Sequence, residues 1–257
     1  MEPDEDHDVD WRDARAYAPL VEADRSIFAW EWLRRDPAYR AAARTALGGG
    51  RASAPAPCPE LWGLHAFENP ELRAPHARPL WTVEVHPFVL RAVAAGPGAV
   101  DDAFELGQFR SLATLLSGKA GREHLLLCDG LHAVRLDILA GCAARGPVEF
   151  RYLIGGLASA EKPLLTLRRL IALQKGGRFS PTLQRREARA RRWILALRAF
   201  DAVAAGADQR AIASQLLGLA AREPRWRSQA PSLRSQAQRL VRSARLMAAG
   251  GYRELLW

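Results

Sequence analysis

Between Ser232 and Ala249 the polar side chains fall into a stripe: Arg234, Gln238, Arg242 and Arg245 stand at i, i+4, i+8 and i+11, with Ser235 and Arg239 beside them. Leu233, Ala237, Leu240, Val241 and Ala244 form a second, apolar stripe, so the segment reads as an amphipathic helix. Burying the apolar stripe turns the arginines outward together. The chemistry open to such a face is planar, two-pronged hydrogen bonding: a guanidinium matches O6 and N7 of guanine, or two oxygens of a phosphate. The plain alternative is a solvated charged face, the usual fate of a charged stripe.

A second set of arginines precedes it. Arg185, Arg186, Arg189, Arg191 and Arg192 fall on a helix expected to start with Ser180 as N-cap and Pro181 at the first position, and to run to about Ala205. Such a run can hold phosphates without reading sequence. Between the two sets, the segment from Asp208 to Gly218 has the form of the first helix of a helix-turn-helix. Ile212, Leu216 and Leu217 would face a core, Ala213 is small where a second helix would cross, and Gly218 can end the helix. Arg210 in this segment joins the expected DNA-contacting set. Some thirteen residues follow, including Pro224, Trp226 and Pro231, where a turn of about three or four is usual, so the turn is expanded.

Signatures of enzymatic chemistry are poor. Cys128 and His132 are four apart but flank a turn and lack two further ligands, and the three cysteines, Cys58, Cys128 and Cys142, are widely spaced. Gly118-Lys119 lacks the earlier glycine and the following Ser or Thr of a phosphate loop. There is no Gly-x-Ser-x-Gly sequence. Asp101, Asp102 and Glu105 follow Pro97 and Gly98 and are expected to open a helix, where acids complement the dipole. No catalytic residue, metal site or cofactor is therefore expected.

The charge distribution favours a polyanion partner. The 257 residues carry a formal net charge of +9. Residues 1 to 36 hold 5 basic and 11 acidic side chains, whereas residues 162 to 257 hold 20 basic, 18 of them arginine, and only 5 acidic. No run approaches the roughly 18 apolar residues of a membrane span, and the acidic first residues do not resemble a signal peptide. A cytoplasmic, nucleoid-associated protein with no membrane partner is expected.

The expected elements give an α+β protein in four parts. Residues 1 to 50 form a helical module, with Asp24 as N-cap of a short helix closed by Asp36 and Pro37. Residues 51 to 79 carry six prolines from Pro55 to Pro79 and read as a linker wrapped on a neighbouring surface. Residues 80 to 157 form a small antiparallel sheet. Trp81, Val83 and Val85 alternate with polar residues, as do Val148, Phe150, Tyr152 and Ile154. His124 to Cys128 and Leu131 to Ile138 flank Asp129-Gly130, a pair suited to a two-residue hairpin turn. Residues 158 to 257 are helical, beginning with Pro163 to Gln174, and hold the helix-turn-helix variant.

Particular residues carry a family resemblance. Asp10-Trp-Arg-Asp13, Asp24-Arg25 and the run from Phe28 to Arg40 resemble the transcriptional regulator-like module of proteobacterial conjugative elements. The run from Leu164 to Leu170, Arg191-Arg-Trp193, Ile212-Ala213 and the run from Gly250 to Leu256 resemble the RovC-like DNA-binding domain. In this order they are similar to FseA-type activators of integrative and conjugative elements. The resemblance implies a sequence-specific regulator of excision or transfer genes, with double-stranded DNA, RNA polymerase and an antiactivator protein as partners, and possible homo-oligomers. It also admits an antiactivator that works by binding another regulator. A DNA-processing accessory enzyme is the third reading.

Overall fold

The computed structural model describes residues 10–48, 57–97, 99, 102–184, 186–218 and 231–257. The chain divides into two compact units, residues 23–186 with 253–257 and residues 1–22 with 187–252. The C-terminal region expected from residue 158 onward thus contributes its first helix to one unit and its later helices to the other.

The first unit is built on a six-stranded sheet: β1 (Leu90–Ala95), β2 (Ala103–Phe104), β3 (Ala113–Ser117), β4 (Glu123–Cys128), β5 (Ala133–Ile138) and β6 (Val148–Leu153). Their order is β2-β6-β1-β5-β4-β3, and β1 runs parallel to β5 while the other pairs are antiparallel. The class is α+β as expected, and the sheet is larger than expected and mixed. Every residue of β5 is buried, as a strand covered on both faces must be. Leu125, Leu127, Val134, Leu136 and Ile138 face a core shared with Phe104, Phe109, Phe150 and helix α3 (Leu157–Gly176), which buries Leu170 and Leu173. His124, Leu126, Arg135 and Asp137 alternate onto the opposite face.

That opposite face is covered by the N-terminal helices and the proline-rich segment. Helix α1 (Arg25–Leu33) is buried on almost every side, with Phe28, Trp30 and Leu33 at 0% exposure, as expected of a helix that is apolar all round. Asp24 caps it through Ile27 N at 3.0 Å and accepts from Ala133 N at 3.1 Å, tying the helix start to β5. Asp36 and Pro37 do more than close α1: Asp36 caps helix α2 (Pro37–Leu47), accepting from Ala38 N at 2.8 Å. The segment from Glu68 to Ala74 wraps these helices. Trp30 donates to Leu72 O at 2.9 Å, Tyr39 to Glu68 O at 2.8 Å, and Arg34 to Pro70 O at 2.9 Å. The Glu31 carboxylate is buried between Arg34 at 2.9 Å, Arg35 at 2.7 Å and the Ala74 amide at 2.8 Å.

Four local expectations are corrected. Trp81 to Val85 form no strand beyond a single bridge between Leu64 and Trp81; Thr82 O instead accepts from Val85 N and His86 N. Pro79 and Pro87, which lack amide donors, bracket this stretch, and the pairing strand starts after them at Leu90. The β4–β5 turn centres on Gly130-Leu131, one residue later than expected, since Asp129 N donates to His132 O. Gly130 has φ +102°, and an added Cβ would lie 2.3 Å from Pro75 O, so glycine is required there. Ser180 closes a single turn through Leu183 N and Gln184 N, and the helix begins only at Ala190. The arginine-dense stretch between Leu183 and Ala190 offers no apolar side chain larger than Ala188 and sets like charges three and four residues apart, which disfavours a helix there. Finally, Asp102 leads directly into strand β2 and Glu105 into a one-turn 3-10 helix, Leu106–Phe109, while Asp101 lies outside the described residues.

The second unit is helical: α4 (Ala190–Ala204), α5 (Gln209–Leu216) and α6 (Pro231–Ala248), with a 3-10 helix at Ala14–Glu22 packed on α4. Its interior combines Trp11, Tyr17, Leu197, Ile212 and Tyr252, all at most 3% exposed, with small residues at the helix crossings. Ala196, Ala199, Ala202, Ala213, Ala237 and Ala244 are all at most 2% exposed, which lets the three helices approach closely. No helix among the described residues is long and apolar enough to cross a membrane.

Candidate nucleic-acid interface

Helix α6 buries Ala237, Val241 and Ala244 and half-buries Leu233 and Leu240, the apolar stripe read from the sequence. On its other side Arg234, Gln238, Arg239, Arg242 and Arg245 are exposed and Ser235 is half-buried. The turn of about 3.6 residues therefore brings the expected polar residues onto one outward surface. Arg234 to Arg245 spans eleven residues, roughly 16 Å along the helix axis.

Helix α5 stands against α6, with Ala213 meeting Ala237 and Leu217 packed beside them. Asp208 caps α5 by accepting from Ala211 N at 2.7 Å. Where the two helices meet, Gln209 with Gln238, Val241, Arg242, Arg245, Leu246 and Ala249 lines an open groove of about 400 Å³. Gln209 was not among the expected contact residues, and nothing local in the sequence pointed to it. Arg210 follows it on the exposed side of α5. The expanded turn, with Pro224 and Trp226, lies outside the described residues.

The second arginine set is dispersed. Arg189 precedes α4 and Arg192 is in its first turn, both exposed; Arg186 is exposed at the end of the sheet-bearing unit; Arg185 lies outside the described residues. The set does not share one long helix.

What holds α4 in place was not foreseen. Arg198 is buried, donates to Trp11 O at 2.8 Å and to Arg12 O at 3.0 Å, and lies over the Tyr17 ring. Tyr17 donates to Asp201 at 2.7 Å, and Gln215 of α5 donates to Arg12 O at 3.2 Å. Residues 11 to 17 thus strap the helices that present the arginine face. Long-range pairing of this kind leaves no periodic signal in the sequence.

Among the described residues, one cluster has metal-ligand chemistry: His65, His124 and Asp137. The antiparallel register of β4 and β5 sets His124 opposite Asp137, and His124 Nδ1 lies 2.7 Å from Asp137 Oδ1. His65 Nε2 comes within 3.2 Å of the same oxygen. Burial acts to raise the Asp137 pKa, but the His124 hydrogen bond and the two neighbouring imidazoles outweigh it and hold the carboxyl below its ordinary value. Cys128, which the sequence weighed with His132, is buried with its thiol pushed up by burial, while His132 pairs with Asp129 at 3.0 Å.

Residues 157–257 match the RovC-type family model described as "T6SS, Transcription factor, DNA binding domain". Residues 10–65 match a "Proteobacterial transcriptional regulator-like domain". No curated protein matches the chain. The two domain matches support a DNA-binding transcription regulator, with DNA as a partner.

Proposed function

We propose that the protein is a sequence-specific regulator of double-stranded DNA in which α5 and α6 act as the helices of a helix-turn-helix variant and α6 enters the major groove. The observation that carries this reading is the exposed face of α6, where Arg234, Gln238, Arg242 and Arg245 stand opposite a buried apolar stripe. A rigid helix anchored on one side can present guanidinium forks to base edges at fixed spacing. Arg210 on α5 and Arg189 and Arg192 at the start of α4 are assigned to phosphates, which add affinity but no base preference.

The regulation proposed is activation of genes of an integrative and conjugative element, through RNA polymerase, with an antiactivator protein as a second partner. The support for this is the resemblance of both ends of the chain to FseA-type activators. Selection of bound fragments from random-sequence DNA by the full chain tests the reading. A common motif enriched by the wild type and lost with Arg242→Ala is expected. Enrichment of no motif would contradict it and favour a basic surface for an acidic protein partner.

A further inference from the structure

We propose that His65, His124 and Asp137 form a binding site for a divalent transition metal ion, with Zn²⁺ the best chemical match. The ligand atoms of the three residues all lie within 4.8 Å of one another. Two imidazole nitrogens and a carboxylate oxygen are a donor set for zinc and its neighbours, whereas Mg²⁺ and Ca²⁺ select oxygen ligands. Bonds of about 2.0 to 2.2 Å in a tetrahedral shell place neighbouring ligand atoms roughly 3.3 Å apart. The 3.2 Å from His65 to Asp137 already fits, and the 2.7 Å from His124 to Asp137 needs only a small opening.

A hydrogen-bonded cluster alone does not satisfy these groups. His124 takes the Asp137 oxygen at 2.7 Å, and His65 Nε2, buried and 3.2 Å from that same oxygen, is left with only a share of it in poor hydrogen-bond alignment. A buried nitrogen so weakly satisfied is costly, and an ion between the three residues would satisfy it fully. Both imidazoles bring a nitrogen within 3.2 Å of the same carboxylate oxygen; their rings stack with centroids 3.5 Å apart and 22° between planes, so sharing one ion requires them to tilt out of the stack. The ion takes the place of the proton between His124 and Asp137 and gives His65 Nε2 a partner. Two strands in fixed register supply two ligands, and the third is held by the His65 N to Leu80 O bond at 2.9 Å. The site joins the end of the regulator-like match, at residue 65, to the sheet.

The test uses the untagged full-length chain, dialysed against a chelator and then titrated calorimetrically with ZnCl₂. One ion per chain is expected, and His65→Ala and Asp137→Asn should each weaken binding by more than the roughly 10- to 100-fold that follows loss of an outer-sphere partner. Zinc binding that is absent in the wild type, or unchanged in both variants, overturns the proposal. Because a variant can fail to fold, Co²⁺ added to the wild-type chain gives an independent readout. An intense visible spectrum of a four-coordinate ion is expected, and the weak spectrum of a six-coordinate surface ion contradicts the site.

Discussion

In the sheet-bearing unit the interior is filled by Phe28, Trp30, Trp32, Tyr39 and Trp81 together with buried charged groups such as Glu31, Arg34, Arg135 and Asp137. In the helical unit alanines fill the helix crossings beside the buried Trp11, Tyr17, Leu197 and Ile212, Arg198 is buried, and the arginines of α6 lie outside. Both units use buried polar groups to fix loops to helices, Glu31 and Arg34 in the first and Arg198 in the second; the second adds close alanine packing that leaves one helix face free for a partner. The difference separates charges that build the fold from charges that meet something else. An arginine such as Arg34 or Arg198, with its hydrogen bonds spent on backbone carbonyls, is architecture. Those along α6 are surface.

The largest effect should come from emptying the aromatic interior. Trp30 is fully buried, packs edge-on against Tyr39 at 5.7 Å and donates to Leu72 O. Trp30→Ala is expected to cost about 3 to 5 kcal/mol, measured by urea unfolding. A loss near zero would mean that this unit is not held by its aromatic core.

Acid should strike the same unit next. Burial raises the Glu31 pKa, but Arg34, Arg35 and the Ala74 amide outweigh it and bring it from 4.5 to about 2. A carboxyl depressed on folding stabilises above its unfolded pKa and loses that contribution as pH falls through the folded value. Roughly 3 kcal/mol should therefore disappear between about pH 5 and pH 2. His86 acts earlier in the same direction. Burial and then the Arg135 charge push its pKa far below 6.5, and it donates to Leu256 O at 2.7 Å as a neutral ring. Stability should begin to fall below about pH 6.5. Denaturant unfolding across pH checks both, with Glu31→Gln flattening the lower part of the profile.

The helical unit should be sensitive to the opposite change. Ala213 and Ala237 are both 0% exposed where α5 meets α6, so Ala237→Leu should overpack the crossing and cost about 1 to 3 kcal/mol. DNA binding should fall with it. Unaltered unfolding and binding would show that the crossing has room and that close packing does not set the α6 face. The smallest effect expected is that of the α5 cap: Asp208→Ala should cost about 1 kcal/mol, seen as a lower melting temperature.

How much of this was readable in the sequence follows from the range of the interactions. The α6 stripes, the Asp24 cap and the β4–β5 hairpin depend on residues close in the chain, and their periods, capping residue and turn glycine announce them. The false strand at Trp81 shows the limit: alternation was present, but the chain turns at Thr82, whose carbonyl accepts from Val85 N and His86 N, so pairing stops at a single bridge. The helix expected from Ser180 failed for a related reason, since capping residues were present but the six residues after Leu183 hold nothing apolar larger than Ala188. The strap of Trp11 and Arg12 on Arg198, and the meeting of His65 with His124 and Asp137, join residues far apart in sequence. The hairpin register did set His124 opposite Asp137; nothing local pointed to His65.

The central claim is that α6 reads sequence while other arginines supply only affinity. Competition binding of cognate and random duplexes, over a series of salt concentrations, tests it most directly. Arg234→Ala and Arg242→Ala should each reduce the preference for cognate DNA by about 1 to 3 kcal/mol, roughly 5- to 150-fold. Arg189→Ala should weaken both duplexes equally and reduce the salt slope by about one. Equal loss on cognate and random DNA for Arg234→Ala and Arg242→Ala would contradict the account.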